Sequence, residues 1–412
     1  MNRFARIAIL AVSALIVGWV GIGHVLGRSA NDKAFKSLVV YGEVLQKIQQ
    51  DYVDEPNMHL VTAGSLHGLL ESLDSESSYL TPREFVEYKE KVSNPQLAET
   101  GLNLSKRSGY IVVTSVQPDS PAERAGLRTG DFLESVAGFT TREMGVGQAK
   151  NLLAGEAGTG VKVGVIRRGL SEPEEIELVR QKIVPLKMIA EKVDNQTLAL
   201  RFPTLDSGRA EEVRALLLDA QKQGISRIIL DVRDTGRGSV SEAIQIARLF
   251  IPSGNFVTLK GQTVPTENFS AEPDKVIWKG PVSVLTDIST AGASEVLAAA
   301  FRNTKRGDLV GERTYGLASE QKLISIDDGS AIILTVANYY NNDGKSILEE
   351  GVAPTEIVHS ALGPNEEAGE AEESPSQAGV GKQPAGPRPL SAEDPVLRRA
   401  LELLNAPAKK AA

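Results

Sequence analysis

From residue 184 to 358 the chain alternates short β-rich runs with amphipathic stretches, and this alternation constrains the fold more than any other feature. Residues 198–202, 227–232, 282–285 and 331–336 read as strands, and 209–223, 240–250 and 293–302 as helices. Parallel strands need crossover connections of a dozen or more residues, usually helical. The pattern therefore predicts an α/β sheet with its crossover helices packed on the sheet faces.

The flanking segments differ in character. In 99–182, runs such as Tyr110-Ile111-Val112-Val113 and residues 161–166 are β-rich and separated by Gly and Pro turns, which predicts a separate β module. Between 35 and 92 apolar residues recur at helical spacing: Leu38, Tyr41, Val44, Leu45, Ile48, then Leu66, Leu69, Leu70 and Leu73. Thr81-Pro82-Arg83-Glu84 joins a capping residue to a proline at the first helical position. From 363 to 389 Pro, Gly, Glu, Ser and Ala dominate, a composition that buries too little apolar surface to order itself. A short helix is expected over 391–404.

At the N-terminus, Arg3 and Arg6 precede an uncharged run over 7–27. A bilayer crossing takes about 20 residues. The run reads as a cleaved signal peptide, with Gly21 and Gly23 near the cleavage point, or as an uncleaved signal anchor. Its length exceeds the apolar region of about 7–15 residues in a signal peptide and favours the anchor. Arg28, Lys33 and Lys36 balance the positive charge before it, so flanking charge does not set the orientation.

Composition removes several chemistries. There is no cysteine, which excludes thiol catalysis, disulfides and thiolate metal sites. The four histidines are His24, His59, His67 and His359, and none forms the i, i+4 pair of a helical zinc site. They read as structural, and a Ser-His-Asp triad is hard to build from them. No metal or organic cofactor is implied. The net charge is −8 with no basic block, so nucleic acid is not an expected partner.

Residues 120–131, Ser-Pro-Ala-Glu-Arg-Ala-Gly-Leu-Arg-Thr-Gly-Asp, resemble the core motif of PDZ domains in bacterial proteases. In that resemblance Gly101, Leu102, Asn103 and Leu104 stand in the carboxylate-binding loop. Successive backbone N–H groups in such a turn form a nest for a peptide's terminal carboxylate, and the adjacent strand edge adds the peptide as one more strand.

Several further stretches, in order over about 35–405, resemble carboxyl-terminal processing peptidases, also called tail-specific proteases. They include residues 79–85, Leu230-Asp231-Val232-Arg233-Asp234-Thr235-Gly236-Arg237-Gly238, Gly311-Glu312-Arg313-Thr314-Tyr315-Gly316, residues 327–331, Tyr339-Tyr340, and 351–354. The family uses a Ser nucleophile and a neutral Lys as its general base. On this resemblance the nucleophile position in Thr290-Ala291-Gly292-Ala293-Ser294-Glu295 is Gly292, and the base position is Leu317. Gln321, which in the family orients the Lys, is retained, and Gly238 with the N–H of Ala293 remains a candidate oxyanion hole. Glycine offers no oxygen and leucine no proton acceptor, so covalent catalysis is expected to be absent. Arg237 and Asp234-Thr235 also depart from the family pattern in the oxyanion turn.

The expected architecture is mixed α+β and α/β. Residues 1–30 form the signal anchor or signal peptide and 35–97 a helical region. A PDZ-like peptide-binding domain covers 98–183, a protease-like core of ClpP/crotonase-like layered sheet and helices 184–360, a linker 361–390 and a terminal helix 391–405. The resemblance implies an exported protein on the periplasmic side of the cell envelope, anchored in the inner membrane by residues 7–27. It would bind unstructured peptides or protein C-termini as a pseudopeptidase, adaptor or scaffold, with an active protease or an envelope protein as a further partner. The alternative is an active serine-type endopeptidase with an atypical site.

Overall fold

A computed structural model describes residues 36–94, 97–107, 109–167, 172–182, 184, 186–359, 390 and 393–406. The 7–27 run and the linker over 361–389 lie outside the described residues. Among the described residues no helix is long and apolar enough to cross a membrane. The chain divides into two units, residues 1–65 and 66–412. In the first, residues 36–51 are helical and leave Leu38, Val39, Val40 and Val44 exposed.

The second unit holds the predicted α/β core. Its six-stranded sheet has the order Ile189–Lys192, Thr197–Arg201, Arg227–Asp231, Val282–Thr286, Asp308–Gly311, Glu356–Ile357. The first pair is antiparallel and every later pair is parallel. The helices Arg209–Lys222, Val240–Arg248 and Ala293–Thr304 are the expected crossovers. Side chains alternate across a strand, and here both faces are covered. Leu198, Leu200, Ile228, Leu230, Val282 and Val284 enter the main core with those helices. Ala199, Ile229, Leu285 and Val310 face Val396, Leu397 and Ala400 of the terminal helix Pro395–Asn405. Burial on both faces is why these strands read as continuous apolar runs.

A second sheet runs Ser78–Leu80, Ala331–Tyr340, Asn255–Lys260, Glu267–Ser270, with Ser319–Ser325 also paired to Ala331–Tyr340. Its Phe256, Val257, Leu259 and Tyr339 belong to the main core, so the two sheets sandwich helices in layers. Ser78–Leu80 departs from the all-helical expectation for 35–97: it pairs antiparallel with Ala331–Ile333, with Tyr79 and Leu80 buried. Three residues carry no readable period, and the strand exists because a partner edge is offered. The helix after it starts as expected, with a reciprocal capping box between Thr81 and Glu84 opening Pro82–Val92.

The β module is an antiparallel sheet ordered Leu102–Arg107, Tyr110–Val116, Phe132–Val136, Gly160–Ile166, Glu174–Val179. It closes over its own core of Leu104, Ile111, Val113, Leu133, Val163 and Leu178, with the helix Val146–Leu153 contributing Val146, Ala149 and Leu153.

Candidate active site

Three backbone segments of the core meet at the N-terminus of the Ala293–Thr304 helix. The turn after strand Val282–Thr286 carries Asp287 to Gly292 into the helix. Ala291 N donates to Thr235 O at 3.0 Å, and Thr290 Oγ1 lies 3.0 Å from Val232 O, which joins this turn to the one over 232–238. Tyr315 N donates to Thr290 O at 2.9 Å and brings in residues 314–318.

Glu295 fastens the assembly. It is fully buried, and each of its oxygens accepts from more than one donor. Oε1 accepts from Thr314 Oγ1 at 2.5 Å and Gly316 N at 2.6 Å. Oε2 accepts from Gly292 N at 2.8 Å, Leu317 N at 2.7 Å and Ala318 N at 3.1 Å. Burial pushes its carboxyl up from the ordinary range, against the pull of these donors. Its five hydrogen-bond partners among the described residues all donate to it, a geometry that suits the carboxylate. Three residues after the glycine cap, it makes the reach-back half of a capping box to Gly292 N, and with no Ser or Thr at the cap the sequence carries no signature of it.

Gly292 sits at the strand-to-helix elbow with φ 62° and ψ −120°. Such sharp, strained turns present a nucleophile's side chain in hydrolases. A Cβ built on Gly292 would meet nothing within 4 Å. The first N–H groups of a helix have no intrahelical acceptor and sit at the positive end of its dipole. Ala293 therefore heads a place where negative charge on a bound group is stabilised. Gly238, in the adjoining turn, has φ 150°, and a Cβ there would lie 2.4 Å from Leu205 Cβ, so close packing alone demands glycine. Leu317 is half-buried, and Glu295 ties its N–H. The Gln321 amide donates to Glu76 O at 3.1 Å.

The charge in this region lies beneath the turns. Asp231 is buried between Arg233 and Arg201, and Arg233 also reaches Asp394 at 2.7 Å, which fixes the start of the terminal helix. Asp287 accepts from Asp234 N at 3.2 Å and Ser289 N at 3.0 Å. Loss of water and the neighbouring Asp234 carboxylate push Asp287 up to about 8. Among the described residues no group of three or more His, Asp and Glu is placed to hold a metal ion.

The proposed carboxylate loop lies beside this site. Gly101 has φ 85°, and a Cβ on it would strike Ser120 Cβ at 2.1 Å. Gln117 N donates to Gly101 O at 2.8 Å, and Leu102 and Asn103 pair with Val116 and Ser115 before a bulge at Leu104. Asn103 Nδ2 donates to Ser115 Oγ at 2.7 Å. A Cβ on Gly236, in the turn over 232–238, would lie 2.5 Å from that same Ser115 Oγ. Arg237 pairs with Glu99 at 2.8 Å, so this departure from the family pattern serves the junction between module and core.

The profile of peptidase family S41 matches residues 196–358, and that of the PDZ domain residues 112–167. A carboxy-terminal processing protease of Bacillus subtilis is 29% identical over 363 residues, 86% of this chain and 76% of that protein. The chain belongs to the carboxyl-terminal processing peptidase family. A chloroplastic C-terminal processing peptidase of Tetradesmus obliquus is 28% identical over 345 residues, 79% of this chain and 74% of that one. Among solved structures, a photosystem II D1 C-terminal processing protease superposes with a TM-score of 0.64 at 26% identity, covering 78% of this chain and 92% of its own.

In this family member the serines nearest the elbow are otherwise engaged or enclosed. Ser289 Oγ bonds Thr129 Oγ1 of the PDZ domain at 2.9 Å. Ser294 is fully buried in the first helical turn, and its hydroxyl has no partner among the described residues. Ser319 Oγ lies 3.4 Å from Leu317 O. Among the described residues, none of the three has a lysine or histidine as a hydrogen-bond partner.

Proposed function

We propose that this is an exported, inner-membrane-anchored family member that captures unstructured peptides or protein C-termini through its PDZ domain and does not cut them. It would hold them, or present them to an active protease or another envelope protein. In this reading Gly292 takes the seat of the nucleophile and Leu317 that of the base. Gly238 and the N–H of Ala293 keep the outline of an oxyanion hole.

The observation that carries the reading is the Gly292 elbow. Its backbone has the strained shape that presents a nucleophile, the space for a side chain is open, and no side chain is there. The Glu295 hub keeps that shape without any catalytic group. Groups of a catalytic pair act as a unit, so losing both leaves at most binding and electrostatic assistance.

The test uses the full chain in detergent with an unstructured protein and with a peptide ending in an apolar residue. The reading expects saturable, stoichiometric peptide binding and no new termini by mass spectrometry. Cleavage would overturn it and direct the search to Ser289, Ser294 and Ser319. Neither binding nor cleavage would remove the peptide-capture function itself.

A further inference from the structure

We propose that residues 75–78 occupy the PDZ peptide groove as a built-in ligand, and that the groove's external ligand is an extended peptide whose acidic side chain replaces that of Glu76. This rests on the peptide-capture reading. An added peptide strand lies on an open sheet edge. In the PDZ sheet, Leu102–Arg107 is such an edge strand, with the helix Val146–Leu153 packed beside it.

The chain's own segment reaches both walls. Glu76 is 9% exposed, and its Oε1 accepts from Ser105 Oγ of the strand at 3.1 Å. Its Oε2 lies 3.8 Å from Lys150 Nζ of the helix. Ser105 Oγ also lies 3.4 Å from Ser75 Oγ. On the helix side Gly147 N donates to Ser78 Oγ at 3.3 Å, and a Cβ on Gly145 would lie 2.8 Å from that oxygen. The segment is pre-shaped by Asp74, whose Oδ1 accepts from Glu76 N at 2.9 Å and Ser77 N at 2.7 Å.

Two features make residues 75–77 displaceable, while Ser78 stays paired with Ile333 in the core sheet. Their contacts to the strand run through side chains, and no strand over 75–78 pairs with Leu102–Arg107 in the sheet order. An incoming peptide gains the main-chain ladder that the internal segment lacks. An entering ligand must also answer the groups that Glu76 leaves behind. Ser105 is 1% exposed and keeps Tyr315 as a partner, but its buried hydroxyl loses its one charged acceptor, Glu76. Lys150 loses its counter-charge. A carboxylate side chain satisfies both. Displacement further frees the partners of the segment in the core: Gln321, bonded to Glu76 O at 3.1 Å, and Thr335, whose N donates to Ser77 Oγ at 3.1 Å. Gln321 lies on the strand that begins two residues after Leu317, so groove occupancy is coupled to the site's own wall.

The test measures fluorescence anisotropy of two labelled peptides with the same apolar C-terminus, one carrying an internal Glu and the other Gln. The full chain is compared with Glu76→Ala and with the isosteric Glu76→Gln, which guards against a folding failure. Removing a self-occupancy of about nine parts in ten raises apparent affinity about tenfold. The Glu peptide should therefore bind both variants about tenfold more tightly than it binds the native chain, and the Gln peptide more weakly throughout. Equal affinity for native and variant chains would overturn self-occupancy. Equal binding of the two peptides would overturn the acidic ligand. Binding to none of the three proteins would instead overturn the peptide-capture reading beneath both.

Discussion

Removing the Glu295 carboxylate is the sharpest perturbation of the elbow that leaves Gly292 and Leu317 untouched. Glu295→Ala strips the acceptor from Gly292 N, Gly316 N, Leu317 N, Ala318 N and Thr314 Oγ1 in one step. A buried donor left without a partner costs about 1–3 kcal/mol. Applied in full to five donors, that would rival the whole stability of an ordinary domain, about 5–15 kcal/mol. Water entering the vacated space pairs some of them, so the expected loss is about 3–5 kcal/mol, as for breaking other buried charged networks. Glu295→Gln keeps one oxygen and turns an NH2 toward the other donors, for an expected cost of about 1–3 kcal/mol. Native-state hydrogen exchange reads this locally. The amides of Gly316, Leu317 and Ala318 should exchange about a hundredfold to several thousandfold faster in the Ala variant, with the Gln variant between. Unchanged protection of these three amides in Glu295→Ala would refute the hub.

Other expectations follow from the same geometry. Gly238→Ala drives a Cβ to 2.4 Å from Leu205 Cβ and should cost about 2–4 kcal/mol in urea unfolding, whereas Gly292→Ala meets open space and should cost only the backbone strain of its positive φ, about 1–2 kcal/mol; the reverse order would contradict the packing described. Asp287, raised to about 8 in the folded chain and ordinary at about 3.9 when unfolded, binds its proton more tightly in the native state. Its contribution to stability is therefore complete below about pH 4 and is lost as pH rises toward 8. Asp287→Asn should flatten the fall of unfolding free energy between pH 5 and 8, and an unaltered slope would show that Asp287 titrates normally. Asp394→Ala removes the cap on Val396 and Leu397 and one partner of Arg233. It should make the Pro395–Asn405 helix cleavable by added protease at concentrations that leave the native chain intact.

How much of this was legible in sequence depends on range. The α/β core was readable because strands buried on both faces show unbroken apolar runs, as in Arg227–Asp231 and Val282–Thr286, and the crossover helices lie between them. The elbow was readable as a motif around Gly292. Its strain was not, because φ and ψ at one residue are set by Glu295, Thr235 and Tyr315 acting from three segments. Ser78–Leu80 was hidden because three residues acquire strand character only from the Ala331–Tyr340 edge. Glu76 was hidden for a related reason: its partners Ser105 and Lys150 are 29 and 74 positions away and become neighbours only when the PDZ domain is folded. Arg237 departs from the family pattern in the turn over 232–238, and only the fold shows it as one half of an ion pair with Glu99.

The most direct measurement of the central claim is proteolysis of an unstructured protein by four full-length chains: native, Gly292→Ser, Leu317→Lys and the double variant. The elbow is shaped, Gly292 has room for a side chain, and Glu295 holds the segment carrying residue 317 against it. The account predicts that only the double variant cleaves. Cleavage by the native chain, or a folded double variant that stays inert, would contradict it.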